Sequence, residues 1–343
     1  MKVLYKLIIL LCLLTGCADS EVSETPLPTY DKQIQPNENI LFFMNGIDND
    51  NSNEVIAYDS EKSEIIYRYT FPRELVVYRM AYDWNTDKNN IYIMFLNGRT
   101  IKLNILTGKI FEFEDISLVR EPDNFTIFNN EVWISPNHHG AENCPVKYFI
   151  YTPATDTSRY EELPEGILSN TTPFEIDNNI YLPLYMSGKK AKIYNYTIKE
   201  NLDISALGDN AGYSWHDYYN GFLTAAWLEY NKEIDTSILF TAIHKVKTTN
   251  PKLETDKLFE LKGKGIWGIF ETEQFLFICT RETNGGMLEI RDKNTYEIKR
   301  NIPLETENLT SNYVRNGYFY CVKGDTHGVY KISLEDFSVT EIE

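Results

Sequence analysis

The densest group of side chains able to do chemistry is Tyr213-Ser214-Trp215-His216-Asp217-Tyr218-Tyr219, which mixes aromatic rings with hydroxyl, imidazole and carboxylate groups. Aromatic faces beside a few fixed polar groups suit a sugar or a peptide segment. A second polar cluster, His138-His139 with Glu142 and Cys144, follows Ser135-Pro136-Asn137. Adjacent residues on an extended chain point opposite ways, so the two imidazoles do not share one metal. One His with Cys144 or Glu142 is the remaining metal option, and a solvated loop is the alternative. Hydrolase chemistry is poorly supported: there is no Gly-x-Ser-x-Gly elbow, and neither Ser135 nor Ser214 has a nucleophile's setting. Gly285-Gly286 is an isolated turn and not a phosphate loop.

Cys17 is the residue with the most specific sequence context. Lys2 and Lys6 precede the apolar run Leu7–Leu14, the layout of a secretory signal and too short for a comfortable spanning helix. Leu14-Thr15-Gly16-Cys17 resembles the bacterial lipobox, whose Cys is acylated on sulfur and becomes the new N-terminus. Residues 1–16 are therefore expected to be removed, and residues 17–36, polar, acidic and with three prolines, to form a flexible tether spanning about 25 Å. Removal of Lys2 and Lys6 leaves 31 bases and 50 acids, a formal charge of −19. Lipid on Cys17, and not charge, would then hold the protein at a membrane. The same acidity, with no local basic patch, argues against a nucleic-acid partner.

Of the remaining cysteines, Cys144, Cys279 and Cys321 are odd in number and lack CxxC or Cys/His metal spacing, which excludes a disulfide framework. Cys279 and Cys321 fall on corresponding strands and are expected as buried free thiols, with a neighbouring pair as the alternative.

The elements that must position these groups come from the rest of the composition. The chain has 343 residues, 43% of them hydrophobic and 14% aromatic, enough to bury a core and inconsistent with disorder. Short apolar strands recur from Ile40, Ile91, Val132, Ile180, Phe222, Phe275 and Tyr318, at intervals averaging about 46 residues. Most follow an Asn or Gly turn, such as Asn129-Asn130, Asn178-Asn179 or Asn316-Gly317, the chemistry of tight hairpins. A further strand precedes each turn and two more follow each apolar strand. Four antiparallel strands every forty to fifty residues predict an all-β fold, a β-propeller of seven four-stranded blades over residues 37–343, with six blades as the other count. The first unit shows no clear inner strand; Tyr30–Gln35 is a candidate for it, or for a strand closing the ring on the last blade. Ala225–Val246 is compatible with a helix by composition, but the repeat phase favours a hairpin.

The turns Asn104-Ile105-Leu106-Thr107-Gly108-Lys109-Ile110 and Asp292-Lys293-Asn294-Thr295-Tyr296-Glu297-Ile298 resemble the third-to-fourth-strand turn of bacterial quinoprotein-like or YVTN-type β-propellers, several of which are lipoproteins. The resemblance implies architecture alone, because the repeated YVTN string and the Trp-docking pattern are missing. No cofactor or catalytic residue carries over from it.

In such a ring the innermost strands bring Arg79, Asn124, Thr172, Trp215, His216, Trp267 and Tyr313 to the mouth of the central channel. The expected function is a lipid-anchored, extracytoplasmic module of the bacterial cell envelope that binds a protein partner or a glycan and needs no cofactor. The alternative is a propeller enzyme, a lactonase-like hydrolase or a polysaccharide-cleaving enzyme. Calcium would then be held by residues such as Asp83, Asn124, Asp217 and Asn312. Packing of the same aromatics between blades is the structural alternative.

Overall fold

A computed structural model describes residues 25–45, 53–113, 122–136, 147–162, 173–184, 192–202, 215–219, 221–249, 252–282, 285–304, 313–322 and 328–342. These form seven antiparallel sheets arranged as a β-propeller, with almost no helix. The first blade has three strands, β1 (Ile40–Met44), β2 (Glu54–Asp59) and β3 (Glu64–Thr70). The second has four, β4 (Val77–Ala81), β5 (Asn90–Phe95), β6 (Thr100–Asn104) and β7 (Ile110–Glu112), with one helical turn, α1 (Trp84–Asp87), between β4 and β5. Blade three runs from β8 (Pro122–Phe128) through β9 (Glu131–Pro136) and β10 (Lys147–Thr152) to β11 (Thr157–Glu162). Blade four comprises β12 (Phe174–Ile176), β13 (Asn179–Leu184), β14 (Lys192–Asn195) and β15 (Glu200–Asn201). Blade five comprises β16 (Trp215–Tyr219), β17 (Phe222–Asn231), β18 (Thr236–Thr248) and β19 (Glu254–Lys262). Blade six is β20 (Gly265–Glu271), β21 (Phe275–Glu282), β22 (Gly285–Asp292) and β23 (Ile298–Leu304). Blade seven is β24 (Tyr313–Arg315), β25 (Tyr318–Val322), β26 (Val329–Ser333) and β27 (Val339–Ile342). Seven blades are therefore present, and the hairpin reading of Ala225–Val246 holds.

The period-2 alternation of each second strand explains the ring. In β5, Ile91, Ile93 and Phe95 pack on blade one, while Tyr92 and Met94 pack on Val132, Ile134 and Phe149 of blade three. A strand apolar on both faces needs a neighbour on each side, and only a closed stack supplies one to every blade. Seven core clusters fill the seven spaces between blades, the last of them joining Leu41, Phe43 and Tyr58 of blade one to Tyr320, Val322 and Val329 of blade seven.

The turn between third and fourth strands has a physical signature that repeats. Its first side chain accepts hydrogen bonds from backbone N–H groups two or three residues on: Asp59 from Glu61 and Lys62, Asn195 from Thr197 and Ile198, Asp292 from Asn294 and Thr295, and Ser333 from Glu335 and Asp336. The fifth position has positive φ, at Ser63, Gly108, Asp156, Lys199, Tyr296 and Phe337. This Asx-type turn is the feature the resembling motifs encode.

Residues 25–37 form neither an inner strand nor a closing strand. They run down the outer wedge between blades one and two, where Tyr30 meets Tyr67, Tyr69 and Phe71 edge-on at 6.2, 5.0 and 5.9 Å and donates its hydroxyl to the Thr70 carbonyl. Ile34 is buried and its N–H donates to the Ile105 carbonyl at 2.8 Å. The tether was expected to reach residue 36; its described half, from Thr25 on, is docked on the ring. Gly108 lies beneath this strap at φ +69°, and a Cβ there would stand 1.9 Å from the Tyr30 carbonyl oxygen.

Cys279 of β21 and Cys321 of β25 both lie in the cluster between blades six and seven, on the faces these blades turn toward each other, as buried free thiols. Burial pushes the Cys279 thiol up to about 12, and burial together with the nearby Cys279 raises Cys321. Neither supplies thiolate at neutral pH, so both will resist iodoacetamide in the native protein and react on unfolding. Peptide mapping that finds either alkylated without denaturant would contradict this.

Candidate functional site

Alternate connections of an antiparallel blade lie at opposite ends of the ring. One end carries the tight turns, including 129–130, 177–178 and 316–317. The other carries 45–53, 113–121, 137–146, 163–173 and 202–214, the five longest connections between consecutive strands. Long connections on a rigid frame are where binding surfaces are usually built. The innermost strands start from this loop end, and Arg79, Asn124, Trp215, His216, Trp267 and Tyr313 all fall within their first three positions. The structure thus places these six at the heads of the inner strands, at the loop end of the ring. Asn124, Trp215, His216 and Trp267 are placed by backbone alone; Thr172, Cys17 and the His138-His139 cluster lie outside the described residues.

A shared irregularity marks that end. In β4 Val77 and Arg79 pair with Phe95 and Met94, leaving Tyr78 unopposed. In β8 the pairs Pro122–Pro136 and Asn124–Ser135 leave Asp123 unopposed, and in β20 Ile266–Thr280 and Gly268–Cys279 leave Trp267 unopposed. Three inner strands therefore carry a bulge at the same level. A bulge bends the strand and re-aims a side chain, and bulges recur at barrel rims and beside active sites. Sequence reasoning selected Arg79, Asn124 and Trp267 but missed Tyr78 and Asp123. No local pattern marks them, because the bulge shows only in the register of each inner strand against its partner.

Arg79 is half-buried, its guanidinium 4.0 Å over the Tyr78 ring, with Nη1 donating to the Tyr78 carbonyl at 3.1 Å and Nη2 to the Tyr78 hydroxyl at 3.2 Å. The ring and the hydroxyl fix the planar fork in place, a geometry that suits an oxygen-rich group.

Among the described residues blade one has no inner strand, and side chains from its neighbours meet its first strand instead. Tyr313 donates its hydroxyl to the Phe42 carbonyl at 3.1 Å and sets its ring edge-on to Phe43 at 5.3 Å. Tyr82, from blade two, meets Phe42 at 4.6 Å. Burial, with Asp87 and Asp83 nearby, raises the Tyr82 phenol; burial, with Tyr82 and Asp83 nearby, raises that of Tyr313. Both stay neutral and serve the frame, so Tyr313 stands at the loop end with its hydroxyl already committed. Asp83, one of the residues an enzyme reading would place around calcium, caps α1 by accepting from the N–H groups of Asn85 and Thr86 and from the Thr86 hydroxyl at 2.6 Å. Among the described residues no three His, Cys, Asp or Glu side chains gather as a metal site.

Comparison with known proteins agrees with the architecture. No protein-family model and no curated protein matches the sequence. Solved structures similar in fold include a Bacteroides fragilis protein described as a candidate 6-phosphogluconolactonase, at TM-score 0.56 and 10% identity over 90% of this chain and 96% of that one. The periplasmic gluconolactonase of Pseudomonas aeruginosa aligns at TM-score 0.54 and 8% identity, covering 89% and 95%. The dihydro-heme d1 dehydrogenase NirN aligns at TM-score 0.55 and 11% identity, covering 93% and 76%. At such identities the likeness concerns the fold.

Proposed function

We propose that this seven-bladed propeller is a binding module of the bacterial envelope, anchored outside the cytoplasm by lipid on Cys17, that takes a glycan or an extended protein segment at its loop-end mouth. The observation carrying this reading is the bulge repeated at one level of β4, β8 and β20. An irregularity that costs ladder hydrogen bonds three times over, next to a fixed Arg–Tyr pair, is better explained by ligand geometry than by packing.

The test uses the mature chain carrying Cys17→Ser, screened by thermal shift against panels of envelope glycans and peptides. A ligand that raises the melting temperature is expected to bind at least tenfold more weakly, on the order of 1.4 kcal/mol, to Arg79→Ala and to Trp267→Ala. A ligand whose affinity neither change alters would remove the mouth as its site. Turnover of that ligand would favour the enzyme.

A further inference from the structure

Blade five carries an arm. Strand β17 pairs with β16 only as far as Ala226, and β18 pairs with β19 only from Phe240, yet β17 and β18 continue together from Trp227↔Phe240 to Asn231↔Thr236. This two-stranded ribbon projects from the loop end by about 17 Å, at about 3.4 Å per residue. Both of its faces carry large apolar side chains. Leu228 and Tyr230 share one face with Leu239; on the other Trp227 stacks on Phe240 at 5.8 Å. Leu228 is 59% exposed, Tyr230 60% and Ile234 60%. An isolated ribbon is marginally stable in water, so one built with this much bare apolar surface is made to be covered.

The place where the described chain starts says by what. The Thr25 carbonyl accepts from Nη1 of Arg99 at 2.6 Å, and Arg99 lies in the 96–99 connection, at the same end as the arm. Only seven residues lie between Cys17 and Thr25, a span of eight Cα-to-Cα steps. Fully extended they reach about 28 Å, and as a coil about 16 Å. An anchor on Cys17 therefore holds the loop end toward the bilayer at a distance the arm can bridge. A flat protein face would cover one side of the ribbon, whereas a lipid interface surrounds both. Trp and Tyr are the residues favoured at headgroup depth. The arm's Glu229, Glu233 and Asp235 outnumber Lys232, and the mature chain carries −19, so the matching surface is zwitterionic and not anionic.

We infer that the β17–β18 arm is a second, non-covalent membrane contact that docks into a zwitterionic lipid interface and turns the loop-end mouth toward the membrane. The orientation rests on the Cys17 anchor; lipid binding by the arm does not.

Two measurements separate them. The intact mass of the mature protein reads acylation of Cys17, and an unacylated Cys17 would overturn the anchor and with it the orientation. Co-sedimentation of the mature Cys17→Ser chain with phosphatidylcholine vesicles reads the arm alone. Binding at millimolar lipid is expected, falling about tenfold in Leu228→Ser/Ile234→Ser and weakening when phosphatidylglycerol is added. The melting temperature should be unchanged, since both side chains are exposed. The arm's role is overturned by absence of binding at millimolar lipid, by equal binding of the double variant, or by tighter binding to anionic vesicles. Self-association abolished by the same two substitutions would overturn it in favour of a second copy.

Discussion

Gly108→Ala will lower the melting temperature by about 4–5 °C, equivalent to about 3 kcal/mol for a chain of this size. Two costs add. An L-residue at φ +69° carries about 1–2 kcal/mol of backbone strain. The new methyl would also occupy the position of the Tyr30 carbonyl, 1.9 Å away, and backbone cannot swing aside as a side chain tip can. The strap must lift, loosening Tyr30 from Tyr67, Tyr69 and Phe71, where each aromatic pair contributes about 0.5–1.5 kcal/mol. Gly263→Ala and Gly317→Ala are the controls: their φ values are +71° and +78°, but a Cβ at either meets nothing within 4 Å. If Gly108→Ala is no worse than these two, the strap contributes nothing to stability.

Glu289→Gln will destabilise the ring by about 2–3 kcal/mol at pH 7, because removing one partner of a buried ion cluster leaves its cations uncompensated. The Glu289 side chain is 2% exposed and meets Lys264 at 2.5 Å and Arg291 at 2.6 Å. Burial alone would push its carboxyl up, but the hydrogen bonds from Lys264 and Arg291 outweigh that and hold it below the ordinary glutamate value of 4.5. The unfolded chain thus binds this proton more readily than the folded one. The associated stability is complete above about pH 4.5 and is lost as the pH falls through the lower, folded-state value. Glu54, Glu131 and Glu271 are depressed in the same way, again against burial, by bonds from Asn45, Thr70 and Arg68, from Arg159, and from Lys245 and Lys293. Urea unfolding from pH 3 to pH 7 should show wild-type stability rising across the acid range, with a shallower rise in Glu289→Gln. Parallel curves would show that Glu289 is not among the groups titrating.

Blade number and strand order were legible because each blade repeats two local devices: an Asn or Gly turn with positive φ, as at Asn129-Asn130 and Asp177-Asn178, and an apolar second strand. Both are written in short stretches of sequence. The first blade was not legible in the same way. Tyr30 and Ile34 have the spacing and character of a strand, yet the outer wedge between β3 and β7 offers Tyr30 three aromatic rings, and tertiary packing took the segment. Its first strand is instead met by Tyr313 and Tyr82 from the two flanking blades, a contact between residues far apart in sequence that no local pattern records. At the loop end, the candidates were found from their position at the heads of inner strands. The bulges were not, because an extra residue appears only when two strands are aligned. The arm was read as a hairpin, but its projection beyond β16 and β19 depends on where those neighbours stop.

Among the described residues every blade is drawn from one stretch of chain, and no strand from one terminus is woven into a sheet from the other. Six of the seven interfaces therefore join segments that are neighbours in sequence and are able to form as soon as both have been synthesised. The seventh, where Tyr313 reaches Phe42 across 271 residues and Gly328 binds the Asn45 side chain across 283, must wait for the last blade. Until then Leu41, Phe43 and Tyr58 on one flank have no partner, and long-range closure of this kind is slow. The interval between the synthesis of blade one and the arrival of blade seven is when the nascent protein most needs a chaperone.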